Sequence, residues 1–235
     1  MSESNKRNFI VHGSILAIAG ILVRIIGMLY RIPVVNIIGS EGNGIYGVAF
    51  NIYNIMLVLS SYGLPMAVSK LVSARFTKKR YKSAAKVLRC SLMVAVCTGG
   101  IAALLVFFGA SFIENVIYGG GLPGLAVPLR ILAPTIFLVA ILGVIRGFFQ
   151  GQSTMIPTAV SQILEQIVNA IVSIAAGYGM MKAFASLPDV AAYGAAGSTL
   201  GTAMGALTAV LFMGFLYAVY TPTFNRLKRK DRLVR

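Results

Sequence analysis

Long apolar segments alternate with short polar ones along the whole chain, and this pattern predicts membrane-spanning helices. Several of the segments exceed about eighteen residues, the length that is typical of a span. The first, residues 9–39, would be roughly 45 Å long as one helix, more than enough to cross a hydrocarbon core of about 30 Å. The pattern predicts six spans, at approximately 9–38, 44–74, 86–110, 126–149, 156–183 and 194–220.

Amino-acid composition supports this class of protein. Apolar residues make up 57% of the chain, whereas soluble globular proteins have about 45–50%. Charged residues make up only 11%, against about 25% in soluble proteins. We therefore expect an all-α, multi-pass membrane protein.

The formal net charge of +15 comes with an uneven distribution of basic residues. Sixteen of the 21 lie on one side of the apolar segments: Lys6 and Arg7, seven between Arg75 and Arg89, Arg146 in a short connection, and six between Arg226 and Arg235. The positive-inside rule places this side in the cytoplasm, with both the tail 1–8 and the tail 221–235. Topology and contact with anionic headgroups explain the charge better than nucleic-acid binding does.

The connections on the opposite side carry acidic residues in place of basic ones. They are 39–43, 111–125 and 184–193, with Glu41, Glu114 and Asp189. The first apolar segment is too long for a cleaved signal peptide, so we expect it to be retained as a span. The chain has no Cys/His cluster with metal-ligand spacing, no phosphate-binding glycine loop and no nucleophile elbow. We expect neither enzyme activity nor a cofactor.

Two arginines, Arg24 and Arg31, lie inside the first predicted span. A charge near the middle of a span costs about 2.5–3.5 kcal/mol, so each calls for a counter-charge, a water-filled cavity or an anionic ligand. At about 100° per residue both share one stripe with small residues. These are Gly13, Ala17, Gly20 and Gly27. Close helix packing explains the glycines, and we expect Arg24 to face a cavity and Arg31 either to face it or to snorkel to the outer interface.

Two further stripes of polar residues follow single faces of predicted spans. The fifth span carries Thr158, Gln162, Glu165, Gln166, Asn169 and Ser173 within about 100°. The second carries Asn51, Asn54, Ser61, Tyr62, Pro65 and Ser69, with a kink expected at Pro65 after Gly63. A polar stripe on a span faces either a neighbouring helix or water. In the sixth span Gly197, Gly201 and Gly205 predict close packing alone.

Glu165 is the only acidic residue well inside a predicted span. It is either the ion-pair partner of an intramembrane cation such as Arg24 or a site of proton or cation coupling. Intramembrane cations outnumber this one acid, which favours the ion pair.

Two segments resemble a known family. They are RIIGMLYRIPVVNIIGSEGNGIYGVAFNIYNIMLVLSSYGLPMAVSKLVSARF and RGFFQGQSTMIPTAVSQILEQIVNA. Both are similar to the bacterial stage V sporulation protein B and polysaccharide-export family. That family is related to the MurJ-like lipid II flippases within the multidrug/oligosaccharidyl-lipid/polysaccharide (MOP, MATE-type) exporter superfamily.

The resemblance implies a fold of two six-helix lobes around a central cavity, of which this chain would supply the first. It implies transport by alternating access of a sugar linked to undecaprenyl pyrophosphate, with Arg24 and Arg31 meeting the pyrophosphate. The polar faces of spans two and five would line the route for the sugar. A further cavity arginine of the lipid II flippases falls near Asn51, so this chain lacks that charge.

The implied partners are an anionic lipid-linked saccharide, membrane lipids and a second lobe. The family continues beyond the point that corresponds to Arg235, so the chain is expected to be a truncated product, half of a split protein or an engineered fragment. Two alternatives stay open: a multidrug cation antiporter of the same superfamily, which would depend on Glu165, and an inactive fragment.

Overall fold

The computed structural model describes residues 3–231, with side chains from Gly13 onward, and this range contains helices but no strands. The elements are α1 (Glu3–Ser60), α2 (Leu64–Thr77), α3 (Tyr81–Phe112), a π-helical turn (Ile113–Ile117), α4 (Ala126–Gln150), α5 (Ile156–Ala183) and α6 (Val190–Lys230). Five stretches are long and apolar enough to cross a membrane: Gly13–Thr77, Tyr81–Ile117, Ala126–Gln150, Ile156–Ala183 and Val190–Lys230. The expected all-α membrane class is confirmed, and the count of six spans stays a prediction.

A kink at Gly39 divides α1 into two helical segments. Its backbone has φ 72° and ψ −176°, a combination that is almost confined to glycine. Helix resumes directly after it, so the predicted connection 39–43 is reduced to a single residue.

The second break lies at residues 61–63, between α1 and α2. The Ser61 N–H still donates to the Leu57 carbonyl oxygen at 2.9 Å, and the Leu64 N–H donates to the Ser61 carbonyl oxygen at 3.1 Å. Pro65 follows in the first turn of α2, where a missing N–H breaks no helical hydrogen bond. The break therefore falls just before Pro65, close to the predicted kink.

The glycines of α6 allow close approach to α5. A Cβ on Gly205 would stand 2.6 Å from the Glu165 carbonyl oxygen, and one on Gly201 would collide with the Ser173 hydroxyl and the Asn169 backbone. The packing role predicted for this glycine row is confirmed.

A second row of small residues, which the sequence analysis did not identify, joins α4 to α2. Cβ atoms on Gly147 and Gly151 would stand 2.5 Å from the Pro65 carbonyl oxygen and 2.7 Å from the Ser69 carbonyl oxygen. Glycine thus lets the two backbones meet directly.

The predicted tail 221–235 begins as ordered helix, because α6 continues to Lys230. Phe224 is buried and stacks on Phe76 of α2, with ring centroids 6.1 Å apart. The Lys82 N–H at the start of α3 donates to Asp231 Oδ2 at 2.9 Å. These contacts fix the end of α6 against α2 and α3, so the described part of this segment, through Asp231, packs on the bundle.

Candidate functional site

An ion pair lies between α4 and α5. Arg146 Nη2 donates to Glu165 Oε2 at 2.7 Å, and Arg146 Nε donates to the Ser161 hydroxyl at 2.9 Å. The side chains are only 14% and 25% exposed, respectively. Ser161 donates in turn to the Thr158 carbonyl oxygen at 2.8 Å, which completes a polar network inside the bundle.

This geometry corrects two details of the sequence analysis. Glu165 forms the expected kind of pair, but its partner is Arg146 and not Arg24. Arg146 belongs to α4 and not to a connection. The short turn at 151–155 brings the end of α4 beside the start of α5, and the long Arg146 side chain reaches Glu165 across this junction.

Asn169 joins three helices. Its Nδ2 donates to the Tyr30 hydroxyl of α1 at 3.3 Å, while its Oδ1 accepts from Ser173 at 2.9 Å and from Thr202 of α6 at 3.4 Å. Asn169 is buried. This end of the stripe on α5 therefore meets neighbouring helices and not an open cavity.

The other two amides of the stripe are half-buried. Gln166 lies beside Gly27, where a Cβ would stand 3.2 Å from Gln166 Nε2, and Gln162 lies one turn earlier. Gly27 therefore packs on α5 as predicted. Among the described residues nothing lies within 4 Å of an added Cβ on Gly13 or Gly20, so the close packing predicted for these two glycines is wrong.

Arg24 and Arg31 are exposed, and within the described part of the chain neither has a hydrogen bond or an ion pair. The Arg31 guanidinium carbon lies 5.6 Å from the centre of the Tyr46 ring. Exposed apolar side chains surround both arginines, among them Ile25 and Met28. Arg31 also lines an open depression of about 470 Å³ on this surface.

Asn51 and Asn54 are exposed on the second segment of α1. Their neighbours Val58 and Tyr62 are exposed as well. Other members of the predicted stripe leave this face, because Ser61 is buried and Pro65 packs on α4. The exposed part of the stripe is therefore Asn51, Asn54 and Tyr62, among apolar side chains.

The roles of Tyr30 as a partner of Asn169 and of Arg146 as a partner of Glu165 were not predicted from the sequence. Arg146 lies in the apolar run of the fourth predicted span, so its position already called for a counter-charge, as for Arg24. Among the described residues no group of three or more His, Cys, Asp or Glu side chains could hold a metal ion.

Comparison with known proteins gives consistent results. A sequence model of the family described as "Polysaccharide biosynthesis protein" matches residues 10–234. The chain is 34% identical over 176 residues to the lipid II flippase MurJ of Bacillus subtilis (strain 168). This match covers 72% of the chain and 32% of that protein. It is 31% identical over 209 residues to stage V sporulation protein B of the same organism, covering 88% of the chain and 39% of the relative.

A third relative is the uncharacterized membrane protein YabM of Bacillus subtilis (strain 168), 30% identical over 213 residues, with 90% of the chain and 38% of that protein covered. The matches span between 32% and 39% of the length of these curated relatives. No solved structure matches the chain significantly. Since the family model covers nearly the whole chain and five long apolar stretches accompany it, this multi-pass bacterial membrane protein belongs to the polysaccharide biosynthesis protein family.

Proposed function

We propose that the chain forms one lobe of a flippase that moves an undecaprenyl-pyrophosphate-linked sugar across the bacterial cytoplasmic membrane by alternating access. Arg24 and Arg31 contact the pyrophosphate. The amides of Asn51, Asn54, Gln162 and Gln166 lie along the route of the sugar. The basic end of the lobe faces the cytoplasm, in accordance with the positive-inside rule.

The observation that carries this proposal is the difference between the intramembrane arginines. Arg146 has its counter-charge in Glu165, whereas Arg24 and Arg31 have none among the described residues. An exposed arginine on an apolar helix is stabilised by an anion. Guanidinium groups bind phosphate oxygens in bidentate geometry, so a pyrophosphate would offset both charges.

The name of one relative, a lipid II flippase, indicates the class of cargo. The exposed face with Asn51 and Asn54 would then meet a second lobe across the cavity, because alternating access needs two walls. Glu165 and Asn169 are also predicted to bind substrate, and in this lobe both side chains bond to neighbouring helices.

A multidrug cation antiporter is the alternative class. It would need a carboxylate available to bind sodium or a proton. Glu165 is bound to Arg146, and two exposed arginines would repel a cationic drug. Drug export that depends on Glu165 would favour this alternative.

The test is translocation of a fluorescent lipid-linked saccharide in proteoliposomes, with the chain supplied alone and together with the remaining part of a relative such as stage V sporulation protein B. Arg24→Ala should reduce the rate at least tenfold, and Arg31→Ala should reduce it as well. Arg130→Ala is the matched control, since this exposed arginine bonds Ser111 on α3 instead. Wild-type rates in the Arg24 variant would refute the phosphate-contact role.

A further inference from the structure

An open cavity of about 460 Å³ lies between α2 and the turn that follows α4, and Pro65, Met66 and Met155 form the apolar part of its lining. Its polar lining residues are Tyr62, Ser69, Lys70, Ser73, Gln150 and Ser153. It lies close to the basic cluster that starts at Arg75. Tyr62, Pro65 and Ser69 belong to the stripe predicted for the second span, whereas neither arginine of α1 nor Asn51 or Asn54 lines the cavity.

Close backbone packing shapes the cavity. Gly151 lies against α2, where a Cβ would stand 2.7 Å from the Ser69 carbonyl oxygen and 2.8 Å from Val72 Cβ. This contact holds the turn against the helix, with Ser69 on one wall and Ser153 on the other. Ser153 has φ 62°, a conformation that is uncommon for a serine.

The lining suits a ligand that is both anionic and rich in hydroxyls. It offers one ammonium group, four hydroxyls and one amide, and no lining residue is acidic. Ammonium groups bind phosphates, and hydroxyls and amides hydrogen-bond to sugar hydroxyls. A phospholipid headgroup shares the phosphate but presents fewer hydroxyls.

We infer that this cavity is the docking site for the sugar-phosphate headgroup of the cargo on the basic side of the lobe, with Lys70 binding the phosphate. This inference rests on the proposed function and adds a site that the arginines of α1 do not form. Gln150 lies in the wall and is 3.5 Å from the Thr158 hydroxyl, at the edge of the Arg146–Glu165 network. A ligand in the cavity would therefore lie against Gln150, which contacts Thr158 of α5.

The experiment is equilibrium binding to the purified chain in a sugar-free zwitterionic detergent. The chain has no tryptophan, so Met66→Trp places a single fluorescent reporter at the cavity wall. The probes are farnesyl-pyrophosphate-linked N-acetylglucosamine and, separately, phosphatidylglycerol. Lys70→Ala should weaken binding of the saccharide about tenfold, because a charge-assisted hydrogen bond is lost. Lys70→Arg should restore most of the affinity.

Lys78→Ala is the matched control, since Lys78 is exposed just past the end of α2 and does not line the cavity. If Lys70→Ala and Lys78→Ala lose the same affinity for the saccharide, the effect is one of surface charge alone, and the inference is overturned. Equal affinity for phosphatidylglycerol would overturn the assignment to the saccharide. Intact binding in Lys70→Ala, with translocation lost in Arg24→Ala, would refute the docking site alone. Lost binding in Lys70→Ala, with wild-type translocation in Arg24→Ala, would refute the arginine role and support the docking site.

Discussion

The Arg146 guanidinium donates to the Glu165 carboxylate at 2.7 Å and thereby joins α4 to α5 inside the bundle. A second donor of the same guanidinium binds Ser161 at 2.9 Å, so the arginine is held by two residues of one helix. With both charges mostly buried, each depends on the other for its stabilisation. The pair thus fixes the turn at 151–155, whose residues Ser153 and Met155 line the cavity beside α2.

Arg146→Ala should lower the free energy of unfolding by about 2–4 kcal/mol, because Glu165 would keep a buried charge without a partner. Replacing both residues, with Arg146→Met and Glu165→Leu, should recover most of this loss. Thermal unfolding followed by circular dichroism in detergent measures both effects. An Arg146→Ala variant that unfolds at the wild-type temperature would contradict the structural role of the pair.

Gly201→Ala should destabilise the chain by about 1–3 kcal/mol, because the added Cβ would overlap the Ser173 hydroxyl and the Asn169 backbone. Gly214→Ala is the control on the same helix, since nothing lies within 4 Å of its added Cβ. The control should be neutral or stabilising by up to about 1 kcal/mol. Unfolding temperatures of the two variants give the comparison, and similar values would show that the glycine row is not a packing contact.

The parts of this fold that depend on local patterns of apolar, polar and small residues could be predicted from the sequence. The fifth predicted span, 156–183, has the same bounds as α5, because its apolar run ends at polar turns on both sides. The glycine row on α6 followed from its regular spacing. The predicted connection 39–43 begins at the observed break, Gly39, but its form was not predicted, since a kink of one residue with positive φ leaves no change in hydrophobic pattern.

The candidate site was less predictable, because helical angles show which residues share a face but not what that face meets. Glu165 and Asn169 lie on one stripe, yet one pairs with α4 and the other bonds to α1 and α6. The choice of Arg146 as the partner of Glu165 depends on how α4 packs beside α5. Such long-range packing cannot be read from either helix alone.

Gly39→Ala should either lower the free energy of unfolding by about 1–3 kcal/mol or straighten α1, because L-residues avoid φ near +72° with extended ψ. Gly44→Ala serves as the control: it has open space around its added Cβ and ordinary helical conformation. Double electron–electron resonance between labels at Ile18 and Leu59 would report the angle between the two segments. Unchanged distances together with unchanged stability in Gly39→Ala would refute a role for the kink.

Asn169→Ala should loosen α1, because this side chain supplies the hydrogen bond to Tyr30 and also holds Ser173 and Thr202. We expect the free energy of unfolding to fall by about 1–3 kcal/mol, since buried polar partners are left unpaired. Tyr30→Phe removes the bond between Asn169 and α1 and leaves those to Ser173 and Thr202, so it should cost about 0.5–1.5 kcal/mol. Hydrogen exchange measured by mass spectrometry reports the effect helix by helix.

The pattern of exchange separates two explanations. If Asn169 joins the three helices, Asn169→Ala raises exchange in α1, α5 and α6, while Tyr30→Phe raises it in α1 alone. Arg24 and Arg31 lie on α1 beside this contact, so both variants should also weaken binding of a pyrophosphate-linked saccharide. Increased exchange confined to α5 in the Asn169 variant would show that the 3.3 Å bond to Tyr30 contributes nothing to the position of the arginines.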